Sequence, residues 1–403
     1  MIVNDDAGRS ESRGLASLVL VASVLYFSEG LPFGFITELL PLYLRANGVS
    51  LAEIGLLSTV GLAWTAKLFW SPLLDRFGSY RAWIIGCLSV LTLTWVVFAV
   101  ATPLSGYLFW ATVTLMAIAS ATQDIAIDAQ TITITPRPAL GAVNSARVAA
   151  YRIAIIAAGG GLAAVGGGDR WWLAFAIGAG ATALLLLWAT TLPSPVRELR
   201  EHQPLFRGLR AWLARPGAGS LIAVVLLYKL GDAALLPMIK PFWVDRGHSP
   251  AEIGTVTTTA GMILTIAGAV AGGAFITRFG LFFGLLHLGI LQMLSNAGYA
   301  LAAVLGGGRA LLYPAAFVES FCGGLGTAAF LAFLMAICDR RYAATEYALL
   351  SALFGLTRSL IGMASGITAQ TTGYAVYFWI TLALGFPGLV VLLRARARIE
   401  ARS

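Results

Sequence analysis

The sequence predicts an all-α membrane protein with twelve transmembrane helices in two pseudo-symmetric six-helix halves, both termini lying in the cytoplasm. Three observations lead there. Hydrophobic residues make up 58% of the 403 and charged residues only 11%, less than half the charged share of a soluble domain. The mean hydropathy is +0.82, and the apolar residues fall in blocks of about 20, the length at which a helix crosses a bilayer. Finally, LAEIGLLSTVGLAWTAKLFWSPLLDRFG (51–78) is echoed half a chain later by PAEIGTVTTTAGMILTIAGAVAGGAFITRFG (250–280). Each stretch has AEIG near its start and closes on Arg-Phe-Gly.

A short tail, 1–14, precedes the first span, 15–42, which is longer than a signal-peptide core and reads as an uncleaved helix. Within it Gly30 allows close helix approach and Pro32 removes a backbone donor, which favours a kink. The echoed stretch supplies the second span, 52–72, and the third (82–102), fourth (105–128), fifth (140–165) and sixth (170–192) complete the first bundle, 15–192. The break 193–218 is polar and arginine-rich, as a cytoplasmic linker between halves should be. Six further spans follow at 219–243, 252–277, 282–303, 309–337, 344–368 and 372–393, forming the second bundle, 219–393, before a basic tail, 394–403. Arginines set the orientation. With the N-terminus inside, the outer joins hold only Arg45, Arg170, Arg246 and Arg309, and the inner segments hold the remaining loop arginines.

Several function classes drop out. The net charge of +8 is spread over short connections with no basic face, so nucleic acid is not an expected partner. Cys87, Cys322 and Cys338 lie in apolar segments without CxxC spacing, and His202, His248 and His287 are far apart, so neither a disulfide frame nor a metal site is implied. An enzyme would need a nucleophile with a base, or a metal cluster, and the sequence carries neither pattern.

The informative residues are charges inside the spans: Lys67, Arg147, Arg152, Lys229, Lys240 and Arg358 against Glu29, Glu38, Asp124, Asp128, Asp232 and Glu319. Each costs about 2.5–3.5 kcal/mol at a helix centre on insertion scales, so they must face the interior and pair or meet water. Asp124 and Asp128 are i, i+4 and share a face. An Asp124–Arg147 pair is expected, leaving Arg152 for a ligand, the alternative being that both arginines neutralise the two aspartates, and Lys229 and Asp232 should pair as i, i+3 neighbours. Glu38, Lys67 and Lys240 lie near span ends, where they can snorkel. Burial away from water favours a neutral carboxylic acid, which suits Glu29 and Glu319 to proton coupling. Arg358 stands alone in the eleventh span as an anion-site candidate.

SPLLDRFGSYR (71–81) resembles the Asp-Arg-x-Gly loop between the second and third helices of major facilitator transporters, with Ser71 at the usual leading glycine. The resemblance implies that Asp75 contacts a helix N-terminus and arginines of the other half, with Arg76, Gly78 and Arg81 as further gating or structural residues. Nearly the whole chain is similar to one branch, the AmpG-type muropeptide permeases, which are related to acetyl-coenzyme A transporters. The similarity runs through KLFWSPLLDR (67–76), TQDIAIDA (122–129), AYR (150–152), YKLGDA (228–233), GILQMLSNAGYAL (289–301), FCGGLGTAAFLAFLM (321–335) and ATEYALLSAL (344–353). It implies import of anhydro-muropeptides across the bacterial inner membrane by proton symport with alternating access, by a monomer needing no cofactor beyond the proton gradient. The partners expected are an anionic sugar-peptide, protons and lipid. Arg152, Arg358, Lys229 and Gln123 form the expected substrate-binding set; Asp124, Glu319, Glu29 and Asp128 the proton-coupling set; and Asp232 and Arg147 join the structural residues. The chain departs from the branch at Glu29, where a small residue is usual, and after Ala129, where Gln130 to Thr133 bring no further acid. Uptake of another organic anion, such as a siderophore or acyl-CoA-like compound, and drug efflux stay open as alternatives.

Overall fold

The computed structural model describes residues 4–101, 106–135, 140–192, 217–306, 308–337 and 343–400, and every regular element among them is helical. Ten of these helices are long and apolar enough to cross a membrane. Two predicted features take a modified form. The second span becomes two helices, Leu51–Val60 and Leu62–Arg76, that meet at Gly61. The last two predicted spans lie within one apolar stretch, Leu350–Arg394. As a straight rod its 45 residues would reach about 68 Å, over twice the ~30 Å hydrocarbon core, so it must turn. It does so at Gly373, whose φ of 76° and ψ of 159° suit a residue without a Cβ. The expected linker falls almost wholly outside the described residues.

The sequence echo has a structural counterpart. Ser50 caps Leu51–Val60 by accepting from the Glu53 backbone N–H, and Ser249 caps Pro250–Ile253 by accepting from Glu252 N–H, both at 3.2 Å. Each repeat then ends on a left-handed glycine, Gly78 (φ 69°) and Gly280 (φ 88°).

Contacts divide the chain into two compact units, Met1–Tyr43 with Ala66–Leu199, and Leu44–Thr65 with Arg200–Ser403. In the first unit the opening span packs along the fifth. A Cβ on Gly30 would lie 2.7 Å from the Tyr151 carbonyl oxygen, and one on Gly34 2.8 Å from Ile155 Cα, so the close approach expected of Gly30 is present. Both helices widen into π turns there, Phe35–Leu39 just beyond Pro32 and Ala157–Gly161. Phe35 then meets Trp95, Phe98 and Phe175, with ring centroids 4.3, 5.0 and 5.7 Å away, in a buried aromatic core.

In the second unit Leu51–Val60 lies along Ala343–Ala383 through small residues. A Cβ on Gly366 would fall 2.0 Å from the Leu51 carbonyl oxygen, one on Gly362 2.3 Å from Ser58 Oγ, and one on Gly55 2.8 Å from Gly366 N. Such stripes let membrane helices touch backbone to backbone. At one end Arg45 grips Asp245 with two hydrogen bonds of 2.6 Å, and the Tyr374 hydroxyl donates to the same carboxylate at 2.7 Å. Gly366→Leu is therefore expected to destabilise the protein by about 1–3 kcal/mol, read as a lower Tm in detergent. Gly180→Leu, where nothing lies within 4 Å of the new Cβ, should stay within about 0.5 kcal/mol of the parent.

Candidate functional site

The first unit gathers charge at one place. Helix Gly106–Ile134 presents Asp124 and Asp128 on one face, as their spacing requires. Lys67 of Leu62–Arg76 forms an ion pair with Asp124 Oδ2. Asp128 Oδ1 accepts from the Tyr26 hydroxyl and lies 3.5 Å from Arg147 Nη2, while the Arg147 guanidinium sits 4.6 Å over the Tyr26 ring. Glu29, one helical turn beyond Tyr26, is buried, and its Oε2 has no hydrogen-bond partner among the described residues. Among the described residues of this cluster, three carboxyl groups thus stand with two cations, Lys67 and Arg147.

This arrangement corrects two expectations. Asp124 pairs with Lys67 and not with Arg147, which goes to Asp128. Lys67 does not reach for a span end, because its ammonium is held by Asp124. Arg152 is half-buried and has interactions of its own. Gln123, grouped above with the substrate-binding residues, is fully buried, and its amide donates to Ser28 Oγ at 3.0 Å. Around them Trp70 Nε1 donates to Thr122 Oγ1 at 3.1 Å.

The cytoplasmic loop is built for a tight reversal. Gly78 takes a left-handed conformation, Ser79 caps Tyr80–Val100, and Trp83 Nε1 donates to the Phe77 carbonyl at 2.7 Å. Arg81 donates to the Thr190 carbonyl at the C-terminal end of Trp171–Ala189, where a cation meets the negative end of the helix dipole. The side chains of Asp75 and Arg76 lie outside the described residues.

In the second unit the expected Lys229–Asp232 pair is present at 3.2 Å, and Lys229 Nζ also donates to Thr327 Oγ1 at 2.9 Å. Lys229 occupies a break in the seventh span, between Ala218–Leu227 and Leu230–Asp245. Glu319 is buried, with Ser320 Oγ 3.5 Å from its carboxyl group. Arg358 is exposed and has no ion-pair partner among the described residues. The lipid-type face of its helix is marked by the exposed residues Leu356, Leu360 and Ile367. At about 100° per residue, Arg358 points roughly opposite to that face.

Sequence reasoning missed Tyr26, although Tyr26 and Glu29 are i, i+3 on the first span and share a face. It also missed Glu252, which accepts from Arg309 at 2.7 and 2.9 Å and from Tyr313 at 2.8 Å. Removing one member of a largely buried ion pair strands its partner. Lys67→Met is expected to cost on the order of 3 kcal/mol, seen as a lower Tm, and Lys67→Met with Asp124→Asn should recover most of that loss.

The sequence pattern of the Major Facilitator Superfamily matches residues 19–305. The chain is 34% identical over 399 residues to the anhydromuropeptide permease of Escherichia coli (strain K12), covering 94% of this chain and 79% of that one. It is 30% identical over 400 residues to an uncharacterized protein of Haemophilus influenzae, covering 93% of each. Among solved structures it resembles a bacterial homolog of the human lysosomal transporter Spinster, in an inward-facing and unoccupied conformation. The TM-score is 0.75 at 17% identity, over 97% of this chain and 98% of that one. It also resembles a POT family transporter in complex with a thioalcohol-conjugated peptide, with a TM-score of 0.72 at 11% identity over 96% of each chain. These two likenesses speak for the fold alone. The chain belongs to the major facilitator superfamily, in its anhydromuropeptide-permease branch, and is a multi-pass inner-membrane transporter and not an enzyme.

Proposed function

We propose that this transporter imports anhydro-muropeptides by proton symport with alternating access, and that the Glu29–Asp124–Asp128 cluster carries the coupled proton. The observation that carries the reading is that, among the described residues of this cluster, Lys67 and Arg147 pair with Asp124 and Asp128 while the buried Glu29 has no ion-pair partner. A buried carboxyl group with no cation beside it is better held neutral than charged. Lys67 pairs with Asp124 and Arg147 with Asp128, so Glu29, whose Oε2 has no partner among the described residues, is the acid left to take up the proton. Asp128, fixed by Tyr26 and Arg147, anchors the group. The identity to the Escherichia coli permease supports the substrate class.

The substrate's carboxylates need cations that are open to them. Arg358, exposed on the face away from lipid, meets that need. Lys229 is held by Asp232 and Thr327, and Gln123 ties the fourth span to the first, so both serve structure in this arrangement. Glu319, buried in the tenth span, is a second proton candidate.

Uptake of labelled GlcNAc-anhydroMurNAc peptide into proteoliposomes with an inward proton gradient tests this. Accumulation should be lost on adding a protonophore. Glu29→Gln and Asp124→Asn should each cut gradient-driven accumulation by roughly 100-fold, the low end of what a positioned proton-transferring group supplies. Arg358→Ala should raise the substrate concentration needed for half-maximal uptake. Gradient-driven uptake that survives both acid substitutions would remove the cluster from the coupling path. Uptake of other organic anions in place of the muropeptide would move the substrate assignment.

A further inference from the structure

The basic C-terminal segment is seated on the second unit. The last span ends with Gly385–Arg394, the chain bends at Ala395, and a short helix, Arg396–Glu400, follows. Both helices pack against Leu281–Val304, and Ala395 and Ile399 are buried in the same apolar core as Leu221, Phe282 and Leu392.

Two arginines fix the segment across neighbouring spans. Arg398 donates to Ser220 Oγ at the start of the seventh span, and its stem lies so close to Gly217 that a Cβ there would come 2.7 Å from Arg398 Cδ. The Arg396 guanidinium lies 5.1 Å over the Phe282 ring at the start of the ninth span and reaches Glu400 at 2.8 Å. On the other side of the Gly280 turn, the Arg278 guanidinium lies 5.3 Å over the Phe279 ring. Arg278, Arg394, Arg396 and Arg398 are all exposed, with one carboxylate, Glu400, among the described residues of these two segments.

These charges border a lipid-type surface. Leu393 on the last span, Phe279 on the eighth and Phe283 on the ninth are large apolar side chains left exposed. In a chain that crosses a membrane such side chains face acyl tails, so the arginines stand at the level where headgroups begin. A ligand for this surface must offer negative charge to the arginines and hydrocarbon to the residues beside them. Inorganic phosphate offers only the first, and a lipid without net charge only the second.

We propose that this platform binds an anionic phospholipid of the cytoplasmic leaflet, with the headgroup on Arg278, Arg394 and Arg396 and the tails along Leu393, Phe279 and Phe283. Arg398 is a positioning residue that holds the segment to the seventh span. Because Ala395, Ile399 and Arg398 fix the arginines beforehand, little ordering is left for the lipid to impose. Occupancy stabilises the second unit by mass action.

The test titrates the full-length transporter in neutral detergent with dioleoyl-phosphatidylglycerol, dioleoyl-phosphatidylcholine or inorganic phosphate. Native mass spectrometry counts the bound lipid, and Tm reads stability. Phosphatidylglycerol should be retained in preference to phosphatidylcholine and should raise Tm, while phosphate leaves Tm unchanged. Arg394→Gln with Arg396→Gln should weaken phosphatidylglycerol retention by roughly 25-fold, about fivefold per arginine near an anionic headgroup. Phosphatidylcholine retention should not change, and Arg170→Gln at the outer end should alter neither. Equal retention of the two lipids, or a double variant that keeps the preference, would overturn the proposal. A phosphate-dependent rise in Tm matching that with phosphatidylglycerol would assign the arginines to a free anion and overturn the lipid. The unsubstituted protein supplies an independent check, since its preference should shrink as salt rises from about 0.1 to 1 M and the screening length falls from about 10 to 3 Å. A preference indifferent to salt would also overturn it.

Discussion

A charge carried into hydrocarbon must find its counter-charge, or water, inside the protein, because lipid offers it nothing. That constraint selects which helices can be neighbours here. Lys67 brings Leu62–Arg76 against Gly106–Ile134 because Asp124 waits there, and Arg147 and Tyr26 fix the fifth and first spans to the same helix through Asp128. Burying such pairs is not in itself strongly stabilising, since each ion loses its hydration. What the pairs supply is specificity, because any other packing of these spans would leave a bare ion in lipid.

The two units meet the constraint differently. The second closes its charges: Lys229 has Asp232 and Thr327, Glu252 has Arg309 and Tyr313, and Asp245 has Arg45 and Tyr374. Arg358 differs from these, an exposed cation with no ion-pair partner among the described residues, turned from the apolar face of its helix. The first unit's cluster leaves one acid, Glu29, without an ion-pair partner among the described residues. An acid and an arginine so placed are complementary incomplete sites, one suited to a proton and the other to an anionic solute.

Much of this was legible in the sequence. Apolar block length and the half-chain echo carry the helical membrane fold, and helical periodicity alone places Asp124 with Asp128 and Lys229 with Asp232. Arg358 was legible as an isolated cation. The partners of Asp124 and Asp128 were not, because local spacing says which residues share a face but not which helices touch. Lys67 was misplaced for the same reason. Its place near a span end suggested snorkelling, but its ammonium is held by Asp124 on another helix. The break at Lys229 was equally hidden, since no proline stands at that position to announce it.

The central claim is that Glu29 carries a proton while Lys67 and Arg147 answer the charges of Asp124 and Asp128. Difference infrared spectroscopy of the purified transporter in lipid, in light and heavy water at neutral pH, reads this directly. The account predicts a carboxylic-acid carbonyl band that shifts in heavy water and disappears in Glu29→Gln. A native spectrum with no protonated carboxyl band, or one unchanged by Glu29→Gln, would contradict it.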